Sequence, residues 1–402
     1  MNSFKRFIFL LFLLGTGTII AQSDGSYYLL PELLVGKTSP ANKLFPETGL
    51  HTSLFFSIGN TNEDKPHEWV RRLNKPSTGI SIGFSDFGNR GNIGNAFTVM
   101  PFAEFDILPS RTRLKLNMGL GISRFSNTFD LRSNRFNRGI STQYNWSFRS
   151  YIIYDLLKNH PNKLRLGIGY FHQSNGHTKL PNQGLNTFTL SVSSKIFPYS
   201  KPEEEIQNAP LAPEKFKQYY FSIRTGIGQN ILTYDDFLLT DIEDYNEPKE
   251  VYTIAIGGGV VINKFLKLGA GLNYRFYEHY YDYIQRNETE PYINSPFKNA
   301  TNFSIFLGGE LLLSHVGLEF QMGVNVYKPF YEEEWLLNEE ELNWYYELKK
   351  HTPVRMGVKL YALNTSKQPK HNVYLGATIN ANLGQADFSE LSIGYVRRFD
   401  VN

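Results

Sequence analysis

From Arg113 to Ile122 the chain alternates strictly. Leu114, Leu116, Met118, Leu120 and Ile122 take every second place, and Lys115, Asn117, Gly119 and Gly121 lie between them. A period of two puts the apolar set on one face of a strand and the polar or bare set on the other. The pattern returns in Leu266, Leu268, Ala270, Leu272 and Tyr274 against Lys267, Gly269, Gly271 and Asn273. It returns again in Val354, Met356, Val358 and Leu360 against Arg355, Gly357 and Lys359, and in Val373, Leu375, Ala377 and Ile379. A soluble sandwich buries its apolar face and wets the other. A membrane barrel turns the apolar face to lipid and the polar face to its lumen. Charged residues opposite an unbroken apolar stripe fit a lumen better than a soluble core.

About 16 such segments are legible, near 26–36, 50–60, 78–88, 95–107, 111–125, 143–157, 163–174, 185–197, 217–229, 250–262, 264–279, 300–313, 315–328, 352–365, 372–382 and 390–399. Links after even-numbered segments are short, as at Asn263 and Ser314. Those after odd-numbered segments are long, as at 126–142, 230–249, 280–299 and 329–351. That rhythm matches a barrel with short periplasmic turns and long outer loops. Links 61–77 and 198–216 break it, and the second, rich in Pro and Glu, reads as a linker or periplasmic turn. The expectation is an all-β transmembrane antiparallel β-barrel with all of the strands in one barrel. The alternative is two tandem eight-stranded barrels, strands 1–8 in residues 22–197 and strands 9–16 in 217–402.

Composition adjusts this picture in a few places. Aromatics are 15% of the chain, with 25 Tyr, 31 Phe and 33 Gly, and beyond the N-terminus no apolar run approaches a membrane helix. Residues 1–21, with Lys5 and Arg6 before an apolar stretch and Ala21 at the end, read as a signal peptide that exports the protein to the outer membrane. The absence of cysteine excludes disulfides, a lipid-modified cysteine anchor and thiolate metal sites. Net charge is +3 without a basic run, which gives no support to nucleic-acid binding.

The candidate chemistry lies in one hairpin. On the seventh segment Leu164, Leu166, Ile168 and Tyr170 share the outer face, and continuing by twos reaches His172 and Ser174. On the eighth, stepping back from Phe188 reaches Asn186. Polar groups on a lipid face have no water to satisfy them. Either the strands have risen past the hydrocarbon there, or the three residues work together. Residues i and i+2 of a strand stand about 6.6 Å apart at Cα, so an imidazole can lean toward a serine hydroxyl. Histidine then takes the proton, serine attacks an ester, and Asn186 orients the ring. Such a site meets a substrate lying in the membrane.

The run His172-Gln173-Ser174-Asn175-Gly176, followed by Pro181-Asn182-Gln183-Gly184-Leu185-Asn186, resembles the lipid A 3-O-deacylase (PagL) and acyloxyacyl hydrolase family of outer-membrane β-barrel esterases. Those carry an H-x-S-N motif on the penultimate strand and a P-N-x-G segment before the last. The resemblance implies hydrolysis of an ester-linked acyl chain of lipid A or lipopolysaccharide, with no metal and no cofactor. It implies Ser174 as nucleophile, His172 as general base and Asn175 as a donor to the oxyanion. The family's acidic residue falls at Asn186, which is no carboxylate, and Glu104 and Asp106 face the lumen by phase. Family members are about half this length, so the resemblance gives residues 217–402 no role.

Lys179 and His177, in the loop beside the motif, are candidate contacts to lipid A phosphate. Residues 332–350 place Trp335, Leu336, Leu342 and Tyr345 near helical spacing, and Asp235 to Glu250 form an acidic stretch. The second functional expectation is a non-enzymatic channel or a degenerate deacylase. It rests on the missing carboxylate and on lumen charges such as Lys115, Arg165, Lys267, Arg275 and Lys359.

Overall fold

The computed structural model describes residues 27–41, 44–63, 65–107, 113–156, 162–197, 216–232, 248–337 and 344–399. The signal stretch 1–21, linker residues 198–215 and acidic residues 235–247 lie outside them. Sixteen strands run through the described residues. They are β1 (Tyr27–Ser39), β2 (Leu50–Asn60), β3 (Ser77–Asp86), β4 (Asn95–Asp106), β5 (Leu114–Phe125), β6 (Tyr144–Asp155), β7 (Asn162–Ser174) and β8 (Leu185–Ile196). After the linker come β9 (Lys217–Asn230), β10 (Lys249–Ile262), β11 (Leu266–Tyr277), β12 (Thr301–Leu313), β13 (Val316–Tyr327), β14 (Pro353–Tyr361), β15 (His371–Asn382) and β16 (Gln385–Phe399).

These strands close into two barrels, β1–β8 and β9–β16. The expectation of one large barrel is thereby corrected in favour of its alternative. The reason lies in the pairing at the break. Leu33 of β1 stands opposite Val192 of β8, and Ser39 opposite Asn186. Ile223 of β9 stands opposite Tyr395 of β16. With β7 on its other side, β8 has no edge left for β9.

Eight strands enclose an interior just wide enough for side chains to fill. In the first barrel Arg149 reaches Glu32 at 2.8 Å. Arg165 bridges Glu104 at 2.6 Å and Asp155 at 2.9 Å, and Lys195 meets Glu104 at 3.0 Å. In the second, Glu310 pairs with Lys267 at 3.0 Å and Lys359 at 2.9 Å, and Arg355 pairs with Glu319. The expected lumen charges therefore point inward and largely neutralise one another. The opposite parity is apolar and exposed, as at Leu54, Phe56 and Ile58 of β2, Phe188, Leu190 and Val192 of β8, Leu307 of β12 and Val324 of β13. Such an exterior matches a lipid solvent.

Among the described residues, helices occur only in links. The stretch expected near 332–350 holds two, Tyr331–Leu336 and Trp344–His351, with 338–343 outside the described residues. Tyr331, Trp335 and Tyr346 pack together, while Trp344 is left exposed. The link after β2 carries a helix over Glu68–Arg72, whose Trp69 and Val70 are buried.

Candidate active site

Backbone pairing brings His172 of β7 opposite Asn186 of β8 and Ser174 opposite Trp146 of β6. Their inward neighbours Phe171 and Gln173 are fully buried. The period-two phase thus places His172 and Ser174 on the same side as exposed Leu164, Leu166 and Ile168.

On that face the side chains form a line. Asn186 Oδ1 lies 2.7 Å from His172 Nδ1, and His172 Nε2 lies 3.0 Å from Ser174 Oγ. A carboxamide oxygen accepts only, so Nδ1 carries the ring proton and Nε2 presents its lone pair to the serine hydroxyl. Tyr170 donates its hydroxyl to the same Oδ1 at 2.5 Å. Its ring lies nearly parallel to the imidazole, with centroids 6.2 Å apart and an interplanar angle of 13°. Asn186 is therefore held from two sides, and its oxygen fixes the tautomer that general-base chemistry needs.

The backbone beside the dyad favours glycine at position 184. Gly184 adopts φ +68°, and a Cβ there would stand 3.2 Å from both His172 Cε1 and Ser174 Cβ. Glycine meets both demands, the positive φ and the close approach. Its N–H donates to Gly139 O at 3.0 Å, which anchors the start of β8 to the preceding outer loop.

The other sequence-derived residues sit differently. Asn175 ties the loop beyond Ser174. Its Nδ2 donates to Ser141 Oγ at 3.0 Å and to Lys179 O at 2.7 Å, and its N–H donates to Asn182 Oδ1 at 3.1 Å. Lys179 contributes its carbonyl to this knot, also accepting from Ser141 Oγ at 2.9 Å, while the residue is exposed. His177 is 5% exposed and bonds through Nε2 to Ile231 O of the second barrel at 3.0 Å. Burial holds its ring down at about 4, against the opposing pull of Asp387 and the Ile231 carbonyl. The structure thus gathers His172, Ser174 and Asn186, keeps Asn175 adjacent in the loop, and carries His177 away from them.

Two participants had no role in the sequence reading. Tyr170 was legible as an outward residue two places before His172. Its polar tip was the available signal, since a Tyr hydroxyl beside other polar groups finds a partner. Ser141 comes from the β5–β6 loop, and no local spacing connects it to the motif.

Residues 47–195 match the family model described as lipid A 3-O-deacylase (PagL). Residues 218–399 match that of the acyloxyacyl hydrolase C-terminal domain. No curated protein gives a match. Among solved structures, the crystal structure of the outer membrane enzyme PagL is 18% identical, with 41% of this chain and 97% of that one covered and a TM-score of 0.31. A mutant of the Rhodopseudomonas blastica porin is 9% identical, with 93% and 100% covered and a TM-score of 0.18. Neither structural likeness bears on chemistry. By the two family models, residues 47–195 belong to the lipid A 3-O-deacylase family and residues 218–399 to that of the acyloxyacyl hydrolase C-terminal domain.

Proposed function

We propose that the protein is an outer-membrane esterase that removes an ester-linked acyl chain from lipid A or lipopolysaccharide. The observation that carries this reading is the line Asn186–His172–Ser174, with contacts of 2.7 and 3.0 Å, on the apolar outer surface of the first barrel. An ester embedded in a lipid leaflet meets that surface, whereas a dissolved one does not. The match of residues 47–195 to the deacylase family supports the same substrate class.

Ser174 Oγ attacks the ester carbonyl carbon while its proton passes to His172 Nε2. The carbon–oxygen bond to the sugar then breaks, and the departing oxygen takes that proton and leaves as an alcohol. Water next yields a proton to Nε2 and attacks the acyl-serine. The serine–acyl bond breaks, Oγ regains its proton, and the fatty acid leaves. Asn186 orients the ring through Oδ1 in the manner of the carboxamide of Cys-His-Asn proteases. It supplies no negative charge to the imidazolium. Asn175 serves the oxyanion by exchanging its bond to Ser141 Oγ for one to the developing alkoxide. The exposed Lys179 meets a lipid A phosphate. His177 is assigned to holding the second barrel rather than to phosphate. The channel reading gains nothing from interiors filled with mutually paired charges.

The test uses purified protein in detergent micelles supplied with lipopolysaccharide. Free fatty acid is released, and Ser174→Ala stops the release. Full activity in Ser174→Ala sinks the assignment.

A further inference from the structure

The loop that follows the nucleophile does not end in solvent. Its tip is pressed into the second barrel. His177 bonds Ile231 O, just beyond β9, at 3.0 Å. Ser389 of β16 accepts from Trp146 Nε1 at 2.9 Å and lies 3.5 Å from Gly176 O. Gly176 adopts φ +64°, and a Cβ there would fall 2.3 Å from Ser389 Oγ and 3.3 Å from the Trp146 ring. The close approach of the second barrel is thus one reason a glycine stands two places after Ser174. A further bond joins the two barrels at their other end, Trp69 Nε1 to Ser314 Oγ at 3.3 Å.

Trp146 is also the cross-strand partner of Ser174. One residue of the second barrel therefore touches both the strand beside the nucleophile and the loop after it. On the other side of the dyad, Phe188 and Leu190 of β8 are open to lipid. The second barrel covers β6 at Trp146 alone, while Tyr144, Ile152 and Tyr154 of β6 stay exposed.

We infer that the second barrel is a positioning partner of the site in the first. Ser389 and His177 form the seam that fixes the Ser174–His177 segment in its reactive geometry. This rests on the reading of Ser174 as nucleophile. It gives residues 217–399 a task, which is to hold the nucleophile loop rather than to carry a second reaction.

The experiment compares the full-length protein with Ser389→Ala, Ser389→Phe and Ser389→Thr on lipopolysaccharide in micelles. Ser389→Ala removes the indole's acceptor and lowers kcat by about 5-fold. Ser389→Phe wedges the seam apart and lowers kcat by about 10- to 100-fold, as small misplacements of reacting groups do. KM stays near its original value, because the exposed apolar residues of β7 and β8 beside the dyad are untouched. Ser389→Thr, which keeps the hydroxyl, recovers most of the loss relative to Ser389→Ala. All three variants retain the heat-modifiable gel mobility of folded barrels, which separates misplacement from misfolding. An active parent whose kcat is unchanged by both Ala and Phe overturns the inference and leaves the esterase reading standing. A folded but inactive parent overturns the esterase reading, and the inference falls with it.

Discussion

Asn186→Asp restores a carboxylate where the site has a carboxamide, and it isolates what charge adds to catalysis. The geometry is already in place, since Oδ1 sits 2.7 Å from His172 Nδ1 and Tyr170 donates to the same atom. An aspartate oxygen accepts both bonds without moving. The new charge stands about 4 Å from the centre of the imidazolium that forms as Ser174 attacks. At an effective dielectric near 20 this is worth up to about 4 kcal/mol. Asn186 is half-buried, so solvent screening takes back more than half of that. A net of about 1–2 kcal/mol remains in the transition state, or about 5- to 30-fold in kcat/KM. Asn186→Leu works in the other direction. It strips the acceptor from Nδ1, frees the ring to turn and to take the wrong tautomer, and costs about 100- to 10,000-fold. Initial rates of fatty-acid release from lipopolysaccharide, measured at pH 7.5 for parent, Asp and Leu proteins, decide the matter. Equal rates for parent and Asp would show that orientation is all the residue supplies. Equal rates for parent and Leu would remove Asn186 from the site altogether.

Four other outcomes follow from the structure. Ser174→Ala abolishes release, and Ser389→Phe lowers kcat at constant KM, as set out above. Glu104→Gln breaks the pairs to Arg165 at 2.6 Å and Lys195 at 3.0 Å inside the first barrel. Since it leaves buried cations short of a partner, it destabilises that barrel by about 3–5 kcal/mol, read from urea unfolding in lipid vesicles. The seam loosens in acid. His177 is held at about 4 by burial, against the pull of nearby Asp387 and the Ile231 carbonyl, and His279 beside it is likewise held at about 4, chiefly by burial and then by Lys249. A histidine with a lowered value in the docked state favours docking fully above its free value near 6.5. That favour is lost as pH falls toward 4, by about 1.4 kcal/mol per pH unit for His177 alone. Trp146 emission, taken as the difference from Trp146→Phe, follows the opening between pH 7 and pH 4. A signal that stays flat over this window in the parent refutes the titration.

The strands were legible because each one repeats the same two-place rule against lipid, and β2 begins and ends where alternation puts it, at Leu50 and Asn60. The rule weakens where a strand leaves the hydrocarbon. β16 starts at Gln385 rather than near 390, because a register shift at Asn380/Ala381 upsets the phase and Phe388 is buried under the outer loops with Tyr277 and Tyr280. Barrel number escaped the alternation for a different reason. A closing pair such as Leu33 opposite Val192 obeys the same face rule whether β8 meets β1 or β9. Only the linker composition carried information about the break.

The site divides along the same line. His172, Ser174 and Asn186 announced themselves because they continue the outward phase of two paired strands, and phase is a local property. Tyr170 continues it too, and its hydroxyl explains how an asparagine can hold an imidazole in place of an acid. Tyr170 donates to the same Oδ1 that accepts from Nδ1, so one carboxamide oxygen is held between two donors. The orienting half of an acid's task is thus kept while the charge is absent. His177 and Ser389 belong to the opposite class. His177 reads in sequence as a loop histidine near a phosphate, and nothing within its neighbourhood marks Ile231, 54 residues on, as its partner. Gly176 is the exception that was readable in principle, since a glycine two places after a nucleophile asks what approaches it so closely. The approaching atom lies 213 residues away on β16, in a barrel whose presence beside the first is what gives that glycine its reason.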